Sequence, residues 1–170
     1  MNTPVSAAPG PRALIAFVFL MLAAGALQSS VAGGLRWQNG QPDFPLALAL
    51  VAAFLSDSTV GCLCGFGAGI ISAAIVGETA ATYLVTRSLV GWIAGLTTAR
   101  LYRGNAGVVL LGVLIASVAV EVGYGLSAPR STVLHGMVWV RSVGFGALWN
   151  TLFALPTVAL LRLLGWGRRL

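Results

Sequence analysis

The sequence predicts an all-α polytopic membrane protein, a single bundle of six transmembrane helices, and three observations carry that prediction. Hydrophobic residues make up 58% of the 170 residues, charged residues 8%, and mean hydropathy is +0.92, a balance that a water-soluble domain of this length does not sustain. The apolar residues are gathered into runs separated by short polar gaps. Small residues also recur at intervals of four along one run, at Gly61, Gly65, Gly69, Ala73 and Gly77. In water such a ladder would lose about 1 kcal/mol of helix stability per glycine relative to alanine. In lipid the backbone's need for internal hydrogen bonds enforces helicity, and the missing side chains admit a second helix at close range.

Taken in order, residues 1–12, rich in proline, read as a disordered cytoplasmic tail. The first span runs from Ala13 to Ser30. Its Ala24-Gly25-Ala26 resembles a signal-cleavage site, but Arg12 is the only charge ahead of it, so an uncleaved helix is expected. The second run, Phe44 to Leu55, rises about 18 Å against a hydrocarbon core of about 30 Å. It must recruit flanking residues or form a tilted or partial hairpin with the third run, Val60 to Val76. Ser56 to Thr59 make the turn, with Asp57 or Ser58 as helix cap. Steps of four advance about 40° around a helix, so the ladder winds through about 160° and cannot all face one neighbour. Its first three glycines are expected to pack, and Gly77 to end the helix. Ala80 to Leu96, Val108 to Leu126 and Val143 to Leu164 complete the set, and residues 166–170 form a basic cytoplasmic tail. The loops are short, so residues 13–165 read as one domain.

Net charge is +6, and every basic residue is an arginine. The arginines lie mostly in the gaps, where they flank spans and meet headgroups, and no basic face interleaved with aromatics exists to hold a nucleic acid. Six crossings would put Arg12, Arg100, Arg103, Arg162, Arg168 and Arg169 on one side and Arg36, Arg130 and Arg141 on the other. The excess predicts both termini in the cytoplasm.

Polar residues within the spans are the site candidates, because each is expensive facing lipid: Arg87, Glu121 and Asn150. An Arg87–Glu121 ion pair would neutralise both charges, and a site for a ligand or partner helix is the competing reading. Asn150, ahead of Pro156, suits an interhelical hydrogen bond near a proline kink. Asp43, after Pro42, reads as a helix-start residue. Cys62 and Cys64 point about 200° apart on a helix and have no further ligands nearby, so they read as small apolar fillers. His135, the single histidine, reads as a surface or headgroup contact. With no acid pair, nucleophile set or phosphate loop in the sequence, the expectation is a non-enzymatic protein without metal or cofactor.

The run Gly65-Phe66-Gly67-Ala68-Gly69-Ile70-Ile71, followed by Leu89-Val90-Gly91-Trp92-Ile93-Ala94-Gly95, resembles the central signature of MreD, the bacterial rod-shape-determining membrane protein family. That family pairs a Gly-Phe-x-x-Gly helix with a Val-Gly-aromatic-x-x-Gly helix. Its Pro-Asp opening is matched by Pro42-Asp43, its fifth-helix acid by Glu121, and its aromatic-Asn pair before a proline by Trp149-Asn150 and Pro156. The similarity covers about Gln41 to Leu164. Ala73 stands where the family usually has an acid, Ala80-Ala81 where it has Pro-Leu-Gly, and Arg87 at a position expected to be apolar, so Glu78 or Arg87 could supply a substitute polar contact.

The resemblance implies a non-enzymatic scaffold of the cell-elongation machinery in the inner membrane. Its expected partner is MreC, with MreB filaments, the RodA glycan polymerase and its transpeptidase partner as further ones, coupling peptidoglycan synthesis to cell shape. Gly61, Gly65, Phe66, Gly69, Gly91 and Gly95 are its expected helix-packing or partner-interface residues. The family architecture also resembles the S component of energy-coupling-factor vitamin transporters. The alternative is therefore a solute-binding subunit whose pocket would be lined by Arg36, Trp37, Asn39, His135 and Trp139.

Overall fold

The computed structural model describes residues 9–77, 80–100, 105–127 and 136–167. These form the helices α1 (Pro11–Ser30), α2 (Phe44–Phe54), α3 (Ser58–Val76), α4 (Ala80–Arg100), α5 (Ala106–Ser127) and α6 (Met137–Leu163), with one 3-10 turn at Ala32–Leu35. The described chain is all-α. Four helices, α1, α3, α5 and α6, are long and apolar enough to cross a membrane. With 21 residues α4 has the length, but Arg87 and several hydroxyl residues lower its hydropathy, and α2 has only 11 residues.

The shortest helix is the centre of the fold. Leucine and alanine, strong helix formers, fill α2, and Pro45 sits in its first turn, where no intrahelical donor is needed. The Asp43 carboxylate caps it by accepting from the Leu46 amide at 3.0 Å. All eleven residues from Phe44 to Phe54 are buried, and α2 packs against each of the other five helices. A helix apolar on every face is stable only in an interior. The second run therefore neither extends to span alone nor lies at the surface. It pairs with α3 through a tight turn at Leu55 to Asp57, and the Asp57 carboxylate accepts from the Val60 amide at 2.9 Å to cap α3.

Gly77 ends α3 in the left-handed conformation, φ +75°, which glycine adopts without a Cβ penalty, and its amide closes on the Ala73 carbonyl at 2.9 Å. Beyond Gly77, helix α6 begins at Met137, six residues before the expected Val143, because Arg141 interrupts the apolar run without interrupting the helical hydrogen bonds.

At one end of the bundle the start of α1 meets the segment after α6. The Phe17 and Trp166 rings lie 5.0 Å apart, and the Trp166 indole donates to the Ala13 carbonyl at 3.5 Å. Trp166 is thus a core residue, not part of a basic tail, and Pro11 and Arg12 belong to α1. At the other end a tight turn, Trp37 to Gly40, is closed by two 2.8 Å backbone hydrogen bonds, with Gln38 and Asn39 both left-handed. It docks on α6: Ser142 donates to the Asn39 carbonyl at 3.0 Å, and the Trp37 ring lies 5.0 Å from Phe145. Residues 1–8 and 168–170, with Arg168 and Arg169, and the loop positions Glu78, Arg103, Arg130 and His135 lie outside the described residues.

Candidate functional site

The polar residues of the spans gather around the entrance to α2. Three helices each send one side chain to hold Pro42, Asp43 and Phe44. From α1, Gln28 donates to the Pro42 carbonyl at 3.0 Å and accepts from the Phe44 amide at 2.9 Å. From α6, Asn150 accepts from the Asp43 amide at 2.7 Å and donates to the Ser117 hydroxyl of α5 at 3.2 Å. From α4, Arg87 bonds both carboxylate oxygens of Asp43, through Nη1 at 3.1 Å and through Nη2. Arg87 is 3% exposed, so this bidentate, charge-assisted pair lies inside the bundle. Its guanidinium also rests over the Tyr83 ring, 5.1 Å from the centroid, and Tyr83 packs on Tyr124 of α5.

The expected Arg87–Glu121 pair is therefore replaced by Arg87–Asp43. The reason is geometric: as the cap of α2, Asp43 presents both oxygens to the fork of the guanidinium, while one of them still serves the Leu46 amide. Asp43 is a helix-start residue and also the counter-ion of Arg87. Glu121 lies in the electrostatic field of both groups. Asn150 makes the interhelical hydrogen bonds expected of it. Pro156 lies within α6 and is exposed, and Thr157 next to it turns its hydroxyl back to the Phe153 carbonyl at 2.7 Å.

The glycines form a second element, a seam between α3 and α4. A Cβ on Gly61 would strike the Gly91 carbonyl, and one on Gly65 the Arg87 carbonyl. On Gly69 it would lie 2.9 Å from the Leu84 Cα, and on Gly95 2.6 Å from the Ser58 Cα. Five of the six expected packing residues thus lie on the seam where α3 and α4 touch backbone to backbone. Phe66 does not: it stands about 100° around α3 from Gly65, outside the seam, and is 46% exposed. Cys64 is buried, Cys62 half-buried, and both are free thiols.

Of the residues expected to line a solute pocket, four are described, and His135 lies outside the described residues. Arg36 hydrogen-bonds Gln41 at 3.4 Å, Trp37 and Asn39 dock on α6, and Trp139 lies against Gly125 of α5. The sequence reading missed Gln28, Ser117, Tyr83 and Tyr124. Gln28 carried a signal, a carboxamide in the last turn of an otherwise apolar helix, whereas Ser117 and the tyrosines are ordinary in membrane helices. Comparison with protein-family models, with curated proteins and with solved structures gives no match.

Proposed function

We propose that this chain is a non-enzymatic scaffold of the MreD type, embedded in the bacterial inner membrane with six crossings and both termini in the cytoplasm. One observation carries the reading. Of the residues on which the resemblance rests, Pro42, Asp43 and Asn150 join in the clasp around Asp43, and Gly65, Gly69, Gly91 and Gly95 in the glycine seam. Their joint role is to hold α2, α3 and α4 together within the bundle, which leaves its outer faces for docking. The meeting of the start of α1 with the segment after α6 supports termini on a common side. Because the glycines are used internally, partner helices are left with the apolar perimeter, such as Leu63, Phe66 and Ile70 on α3. MreC is the first partner on this reading, with MreB, RodA and its transpeptidase around it.

The test is co-purification. The detergent-solubilised chain, expressed with MreC from the same cell, is expected to co-elute with it, and vitamin-sized ligands are expected to leave its melting temperature unchanged. Ligand stabilisation without MreC binding would overturn the scaffold in favour of a solute-binding subunit.

A further inference from the structure

The clasp pairs one carboxylate, Asp43, with one guanidinium that is not saturated, and a second carboxylate, Glu121, stands on α5 close in sequence to residues of the clasp. Asp43 takes Nη1 and Nη2, whereas Nε, buried with the rest of Arg87, has no hydrogen-bond partner among the described residues. Glu121 is the second carboxylate, and its neighbours on α5 fix where it stands. Ser117, one turn earlier, bonds the Asn150 side chain that holds the Asp43 amide. Tyr124, three residues later, packs on Tyr83, the ring beneath the guanidinium. Glu121 is bracketed on α5 by two residues that touch the clasp.

We propose that Arg87 is a two-partner pivot: Asp43 holds it in the arrangement described above, and Glu121 receives it along the free Nε edge when the entrance to α2 lets go. Asp43 is the one charged residue of the segment from Pro42 to Leu46. The remaining ties of this segment to other helices run through Gln28 and Asn150 to backbone groups, bonds that water replaces at modest loss. The ion pair is different, since releasing Asp43 with no second acceptor would strand a buried guanidinium. With Glu121 in reserve, the first turn of α2 moves while α4 stays seated on α3 through the glycine seam. The moving part would be the entrance that follows the Trp37 to Gly40 turn, and the fixed part the wall of α3, α4 and α5.

The experiment uses the full chain in lipid nanodiscs, with Asp43→Asn, Glu121→Gln and the double variant followed by thermal unfolding and by hydrogen exchange over residues 42–48. Asp43→Asn is expected to stay folded, with exchange at 42–48 faster by about tenfold and protection of α4 and α5 retained, as for a local opening that loses one charge-assisted bond. Glu121→Gln alone should leave exchange at 42–48 near its original rate. The double variant should lose much more melting temperature than the two single losses combined, and adding Arg87→Met to it should restore the level of Asp43→Asn. Additive losses overturn the pivot. So does unfolding of Asp43→Asn with Glu121 intact, or a triple variant as unstable as the double, since the stranded guanidinium would then not be the cause.

Discussion

Replacing Gly65 by alanine adds one methyl group where the backbone of α4 already stands. The new Cβ would lie 2.7 Å from the Arg87 carbonyl carbon and 3.1 Å from the Ser88 Cα, against ordinary carbon contacts of about 3.5–4.0 Å. The helices must separate by about 1 Å, and a gap of that size forfeits about a quarter to a half of each van der Waals well of 0.1–0.2 kcal/mol. A seam with about as many atom pairs as one buried leucine makes, 40–60, then loses about 3 kcal/mol. The intrinsic helix preference of alanine over glycine returns about 1 kcal/mol, leaving Gly65→Ala destabilising by about 2 kcal/mol. Gly67 supplies the control two residues away, because a Cβ there meets nothing within 4 Å. Gly67→Ala keeps only the propensity gain and should be neutral to slightly stabilising. The assay is reversible unfolding in mixed micelles, with both variants read against the parent chain. Equal effects at Gly65 and Gly67, in either direction, would refute the seam as the contact that sets the distance between α3 and α4.

Arg87→Met leaves Asp43 without its counter-charge and should cost about 3–5 kcal/mol, measured as the shift in denaturant midpoint. Asn150→Leu removes the acceptor of the Asp43 amide and the donor to Ser117, a loss of about 1–3 kcal/mol that a melting curve in detergent would register. Asp57→Ala uncaps α3 and should cost about 1 kcal/mol, with faster hydrogen exchange at Val60 as its local signature.

Helix number, order and most boundaries were legible in the sequence, because apolar runs and their caps are local properties. The Asp57 cap and the Gly77 terminus were read from a few neighbouring residues and stand where expected. The polar site was legible only in part. Polarity within apolar runs marked Arg87, Glu121 and Asn150, but nothing local decides which carboxylate an arginine reaches. That choice depends on where the start of α2 stands relative to α4, 44 residues away in the chain. Phe66 adjoins the glycines in sequence, yet the helical turn takes it out of the α3–α4 seam, which leaves the partner-interface half of its expected role.

By itself the sequence determined the apolar helices of the described residues, the places where they start and stop, and the glycines that let two of them touch. Those follow from side-chain hydropathy, capping chemistry and the absence of a Cβ, none of which needs a neighbour in space. Only the tertiary structure decided that the shortest helix is the core, that the glycine seam is internal to the chain, and that Asp43 is the partner of Arg87. Each of those depends on which helix faces which, and in a bilayer that is settled by close packing and polar pairing between distant segments, since hydrophobicity there no longer separates one apolar face from another.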